Sequence, residues 1–177
     1  MKLRETTIPG LLLVESAPQH DARGYFHCLF DAEAFATAGI PFIARQSGLS
    51  HNTRAGTLRG LHYQAAPAAQ AKLVRCLSGR LFDVAVDLRP GSPTFCRWFG
   101  VELSPAANRA LFVPAGLAHG FLTLEASTDV LYELDPGEEA SYAEGVRWND
   151  PRFAITWPAP PAVINERDAT YPDFMVR

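Results

Sequence analysis

The chain has 177 residues, 47% of them hydrophobic, which is enough to bury one full core and reads as a single domain over residues 1–177. Lys and Arg number 16 against 19 Asp and Glu, a net charge of -3 without a long single-sign run, which excludes a nucleic-acid or membrane-surface partner held mainly by charge. No apolar run is long enough to span a bilayer, and Met1–Gly10, with Lys2, Arg4 and Glu5, lacks the apolar stretch of a secretory signal.

The three cysteines, Cys28, Cys76 and Cys96, are far apart and form no C-x-x-C, so a disulfide framework or structural zinc is not expected and a reducing cytoplasm fits. Along the chain the first helix signal runs from Asp31 to about Ala38: Asp31 can cap it, Phe35 is its apolar contact, and Gly39 with Pro41 ends it. From residue 57 onward the signal is β. Leu73–Leu77, Ser78-Gly79 and Leu81–Leu88 read as a hairpin, with Phe82, Val84, Val86 and Leu88 on one face and Asp83, Ala85 and Asp87 on the other. Short strands are expected at Trp98–Leu103, Ala110–Val113, His119–Leu124 and Asp129–Leu134. Many short strands with Gly and Pro punctuation favour a sandwich or barrel. The Trp157–Pro161 segment is extended, and Val163–Arg177 is expected to pack back as irregular structure or a short helix.

Two segments can carry chemistry. In Gly56-Thr-Leu-Arg-Gly-Leu-His-Tyr-Gln64, alternation puts Leu58, Gly60, His62 and Gln64 on one face and Arg59 on the other, unless Gly60 marks a bulge. In Pro114-Ala-Gly-Leu-Ala-His-Gly-Phe121 a tight turn delivers His119 to the start of a strand. Either histidine alone is as ordinary as a satisfied core side chain; together they look like two groups aimed into one cavity. The spacing is close to that of a cupin metal site, but Gln64 stands where a second histidine would, and Lys72 where a glutamate would. That set is a poor transition-metal site, and an ammonium repels the ion. A histidine base, the Lys72 cation and the Tyr132 phenol are instead the parts needed to remove a proton beside a carbonyl, hold the enolate and reprotonate it. Taken singly, Tyr132 is equally a core aromatic and Lys72 a solvated strand-edge charge.

Ordered blocks through nearly the whole chain resemble the dTDP-4-dehydrorhamnose 3,5-epimerase family. They are Asp21-Ala-Arg-Gly-Tyr-Phe26, Gly56–Gln64, Gln70-Ala-Lys-Leu-Val-Arg-Cys76, Asp83-Val-Ala-Val-Asp-Leu-Arg89, Gly91-Ser-Pro-Thr94, Pro114–Phe121, Val130-Leu-Tyr132, Gly145-Val-Arg-Trp-Asn-Asp-Pro151 and Glu166-Arg-Asp168. The resemblance implies an all-β fold, a metal-free cupin jelly-roll barrel or sandwich with a few short helices, usually a homodimer. It implies a small-molecule nucleotide sugar as partner, deoxysugar biosynthesis as setting, and no cofactor, because the substrate carries its own electron sink. By the same resemblance His62 is the general base, Asp168 orients it, Lys72 holds the C4 oxyanion and Tyr132 returns the proton. His119 lines the sugar pocket, Arg23 and Arg59 hold the diphosphate, and Phe26 and Gln46 are further substrate-binding positions. If the amino-terminal strand crosses to a partner, Arg23 serves the neighbour's pocket.

Three positions depart from the family pattern: Cys28 replaces a glutamate, Gly48 an amide, and Glu138 the second aromatic six residues after Tyr132. The first two fall at nucleoside contacts, the third where it could alter how the ring turns over. The alternatives are therefore an epimerase acting at C3 or C5 alone, a ketoisomerase on a related nucleotide sugar, a metal-dependent cupin enzyme, or a non-catalytic sugar-binding barrel.

Overall fold

In the computed structural model, which describes residues 1–175, two antiparallel sheets pack face to face. The six-stranded sheet has the order β1 (Lys2–Glu5), β2 (Leu12–Glu15), β10 (Arg109–Val113), β7 (Ala71–Ser78), β12 (Thr128–Asp135), β5 (Gln46–Asn52). The five-stranded sheet runs β13 (Ala143–Gly145), β6 (Leu58–Gln64), β11 (Leu117–Thr123), β8 (Leu81–Asp87), β9 (Trp98–Leu103). A small ribbon, β3 (Gln19–Asp21) with β4 (Gly24–Phe26), joins neither sheet.

Apolar side chains from both sheets meet in the middle. Val74, Leu111 and Val130 from one face Leu81, Ala85, Leu103 and Phe121 from the other. The outer faces are covered as well. Over the six-stranded sheet, Phe35 of α1 (Ala32–Thr37) and Phe42 pack edge-on against Phe112, while on the far side Phe153 and Trp157 of the tail cover Val84, Val86 and Phe82. A strand buried on both faces needs apolar residues at consecutive positions, which is why β8 reads as a nearly unbroken apolar run.

The capping logic of α1 holds: the Asp31 carboxylate accepts from the Glu33 and Ala34 amides, Phe35 is fully buried, and Gly39 takes a positive φ of 74°. The expected strands from Trp98 to Leu134 form, within a residue or two of their expected bounds. The expected hairpin of Leu73–Leu77 with Leu81–Leu88 does not. Both strands form, but β7 pairs with β10 and β12 while β8 pairs with β11 and β9. The Ser78–Arg80 turn carries the chain from one sheet to the other. A two-residue Ser-Gly turn serves either purpose, and only burial on both faces of each strand separates the cases. The tail contributes α2 (Glu166–Thr170), capped by Asn165; Val176 and Arg177, included in the expected tail, lie outside the described residues.

One irregularity shapes the site. Between β6 and β11, His62 pairs with His119 and Arg59 with Phe121, so β6 spends three residues where β11 spends two. This is a bulge at Gly60, whose φ of 130° suits glycine. A Cβ there would lie 2.5 Å from the Gly120 Cα and 3.0 Å from the His119 carbonyl oxygen, both backbone atoms unable to swing aside. Gly60→Ala should therefore lower stability by about 2–3 kcal/mol through strain and clash, read as a lower denaturant midpoint. A midpoint unchanged from the parent would mean the bulge relaxes at little cost.

Candidate active site

The bulge decides which side chains share a cavity. Strict alternation would turn Arg59 away from His62; with the extra residue, both line a cavity of about 300 Å³ between the sheets. That is the small end of the range for ligand pockets. The five-stranded sheet supplies His62 and His119, directly paired across β6 and β11. The six-stranded sheet supplies Lys72 and Tyr132: Tyr132 pairs with Val74, Lys72 with Leu134, so period two puts both on the same face as the core residue Val74. All four line the cavity. Two imidazoles thus look across the sandwich at an ammonium and a phenol.

Each imidazole is backed by a buried carboxylate. His62 Nε2 lies 2.8 Å from Asp168 Oδ1, while Oδ2 accepts from the Gly60 amide at 2.9 Å. The Asp168 amide in turn donates to the cap residue Asn165 at 2.7 Å, which fixes α2 against β6. Burial works against the Asp168 charge, but the hydrogen bonds from His62 and Gly60 and the nearby Arg167 outweigh it and hold the carboxyl below its usual range. The His62 side chain keeps 31% of its surface exposed, so it meets both its carboxylate and the cavity. Gly145 pairs with His62 from β13, and its lack of a Cβ admits the Tyr171 ring, which stands edge-on to the imidazole.

The second pair is deeper. His119 Nε2 lies 2.7 Å from Asp83 Oδ1 and both side chains are buried, with the Tyr132 ring edge-on to His119. Burial pushes the Asp83 carboxyl up, against the pull of His119 and Lys72. Burial also raises the Tyr132 phenol far above its usual value, with Asp83 adding to the effect and Arg59 opposing it, so the phenol keeps its proton. For Lys72 the same desolvation acts the other way: its ammonium falls to about 8, with Glu138 and Asp83 resisting. Lys72 is thus neither solvated nor at a strand edge: it is buried, its Nζ 3.4 Å from the His62 carbonyl oxygen. Among the described residues, no three His, Cys, Asp or Glu side chains converge as a metal set.

Of the residues singled out in the sequence, Gln46 and Arg59 also line the cavity, Arg59 with its Nε on Asn52 Oδ1 at 2.8 Å. Arg23 and Phe26 do not. They sit on the β3–β4 ribbon, Arg23 paired with Asp21 and 90% exposed, Phe26 70% exposed. The sequence reading missed Asp83 and Arg167. Asp83 carried a signal: an aspartate in a strand whose neighbours are all apolar must be satisfied from inside the core. Arg167, whose Nη2 lies 3.4 Å from His62 Nε2, carried none beyond its place beside Asp168.

Comparison with known proteins agrees with this geometry. The family profile for dTDP-4-dehydrorhamnose 3,5-epimerase matches residues 5–175. A dTDP-4-dehydrorhamnose 3,5-epimerase of Sinorhizobium fredii is 40% identical over 175 residues, 98% of this chain and 90% of its own. The dTDP-6-deoxy-D-glucose-3,5-epimerase of Legionella pneumophila, solved with dTDP-4-keto-L-rhamnose, superposes with a TM-score of 0.90 at 37% identity, covering 96% of this chain and 90% of its own. A 3'-monoepimerase of Streptomyces bikiniensis, solved with dTDP-quinovose, gives a TM-score of 0.89 at 34% identity, covering 96% and 86%. A two-sheet sandwich holding a histidine–aspartate pair opposite a lysine and a tyrosine, matched end to end in sequence and shape, places the chain in the dTDP-4-dehydrorhamnose 3,5-epimerase family of isomerases.

Proposed function

We propose that the enzyme inverts C3 and C5 of dTDP-4-dehydro-6-deoxy-D-glucose, giving dTDP-4-dehydro-L-rhamnose. The observation that carries this is a base and an acid rooted in opposite sheets and opening into one cavity. With Asp168 on Nε2, the Nδ1 of His62 is the basic nitrogen. It takes the proton from a carbon beside the C4 ketone, and the C–H electron pair moves through the new C=C bond onto the C4 oxygen. Lys72 faces that oxyanion. Tyr132 then delivers its phenolic proton to the same carbon from the other face, which inverts it, and both groups reset by exchange with solvent. C3 and C5 both flank the ketone, so one base and one acid serve each in turn. Arg59, Gln46 and His119 hold the sugar and its diphosphate.

We further read the protein as a cytoplasmic homodimer. Tyr25 and Phe26 expose large rings on a ribbon that joins neither sheet, and Ile43 and Leu49 expose apolar side chains in and beside β5, so a second copy is the natural cover. In that arrangement Arg23 and Phe26 reach the partner's cavity. No described helix is long and apolar enough to cross a membrane.

A second reading, inversion at one carbon only, is favoured by the likeness to the monoepimerase and by Glu138 at the cavity mouth. Turnover in deuterium oxide separates the two. The expected product carries deuterium at both C3 and C5 with both centres inverted; label and inversion confined to C3 would establish the narrower reaction. In the same assay Tyr132→Phe should keep C–H exchange through His62 but slow inversion by about tenfold or more, because the opposite face loses its acid.

A further inference from the structure

The loop after β12 is fastened so as to deliver one carboxylate to the cavity. Gln46, Leu134 and Lys72 form a row across β5, β12 and β7. Just past that row, the Glu138 amide donates to Gln46 Oε1 at 2.6 Å and Gln70 Nε2 donates to the Pro136 carbonyl at 2.9 Å. Asp135 is held from outside by the Ile43 amide and Arg45 Nε, each at 2.8 Å. Between the two glutamine grips stands Gly137, where a Cβ would lie 2.9 Å from Gln46 Oε1. An exposed loop tied at three points is positioned, and Glu138 is what it adds to the lining of the cavity that holds Lys72.

We propose that Glu138 is a positioning residue that keeps the Lys72 ammonium charged and turned toward the ketone oxygen. This rests on the reading of Lys72 as the group that meets the enolate. A buried ammonium with one long hydrogen bond needs a nearby negative charge to persist. Lys72 shares the cavity with His62, Arg59 and Tyr63 from β6, His119 from β11, Tyr132 from β12, Glu138 from the loop, Glu144 from β13 and Arg167 and Tyr171 from the tail; Asp83 of β8 acts on it from the core, and its partner on β10 is Val113. Arg59 adds positive charge. Asp83 gives Oδ1 to His119 while its buried Oδ2 has no hydrogen-bond partner, and burial opposes its ionisation. Of the two glutamates that line the cavity, Glu144 accepts from the Tyr63 hydroxyl at 2.5 Å, which leaves Glu138, and with burial partly offset by Glu138 and Asp83 the ammonium stands at about 8, where a modest field matters near neutrality.

The test is the pH profile of kcat for the whole enzyme on dTDP-4-dehydro-6-deoxy-D-glucose, with Glu138→Gln, Glu138→Asp and Lys72→Met compared. Removing the Glu138 charge should move the alkaline limb down by about half a pH unit or more, and aspartate should restore part of the shift. An NMR titration of the Lys72 Nζ should move in the same direction without substrate, which covers a Gln variant that turns over too slowly. A limb and an Nζ titration both unmoved in Glu138→Gln, with Lys72→Met slowed about a hundredfold or more at every pH, would overturn the role of Glu138 alone. Full turnover by Lys72→Met would overturn the reading of Lys72 itself.

Discussion

His62→Ala lowers kcat by about a thousandfold, within the range expected for loss of a positioned general base, while the protein stays folded. The fold survives because the ring is part-exposed at the cavity and belongs to no apolar cluster. Asp168 loses one partner but keeps the Gly60 amide and the nearby Arg167, so its buried charge is not stranded. Glutamine at the same position supplies the decisive comparison. Its amide nitrogen matches the distal ring nitrogen that meets Asp168 and can donate to the carboxylate, yet it cannot take a proton from carbon. If His62→Gln is as slow as His62→Ala, the missing function is proton transfer. Recovery of turnover in the glutamine variant would mean that His62 serves only to hold the site together, and the base would have to be sought elsewhere. Exchange of substrate C–H in deuterium oxide reads the same step directly and should vanish in both variants.

The sequence made some of this legible and concealed the rest for identifiable reasons. The strands from Trp98 to Leu134 and the Asp31 cap were readable because apolar alternation and capping are local. The amino-terminal strands β1 to β4 were not, because they are three or four residues long, too short for a period to show, and all but β2 are mostly exposed. The β7–β8 connection was misread as a hairpin because a Ser-Gly turn looks the same whether the chain folds back in one sheet or crosses to another. Arg59 shows the converse: strict period two sends it to the wrong face, and glycine inside the strand was the clue that the period breaks there. The Asp168–His62 pair spans 106 positions, so only family resemblance, not spacing, could foresee it. Arg23 and Phe26 came from the same resemblance, and a single chain leaves them outside the cavity because their ribbon is not part of either sheet.

Lys72→Met should cost activity and raise stability at once. Without the ammonium the enolate oxygen faces Tyr132 and a thioether, and the loss of a charge aimed at a developing oxyanion is expected to lower kcat by about a hundredfold or more. Stability moves the other way. Burial depresses Lys72 from 10.5 to about 8, so the folded state holds this proton less tightly than the unfolded chain does. A shift of that size corresponds to roughly 3 kcal/mol of destabilisation. The sign fixes the pH window. The penalty is full below about 8, shrinks as pH rises and is gone above 10.5, where both states release the proton. Methionine, close to lysine in length and apolar, fills the same space without that penalty. Denaturant titrations at pH 7 and at pH 10 should therefore find the variant more stable at the lower pH, by an amount that narrows at the higher one. A variant less stable at pH 7 would mean that Lys72 is held by partners strong enough to offset its burial. Those partners would then hold it more firmly than its 3.4 Å bond to the His62 carbonyl suggests, and an ammonium so well satisfied would have little left to offer a substrate oxygen.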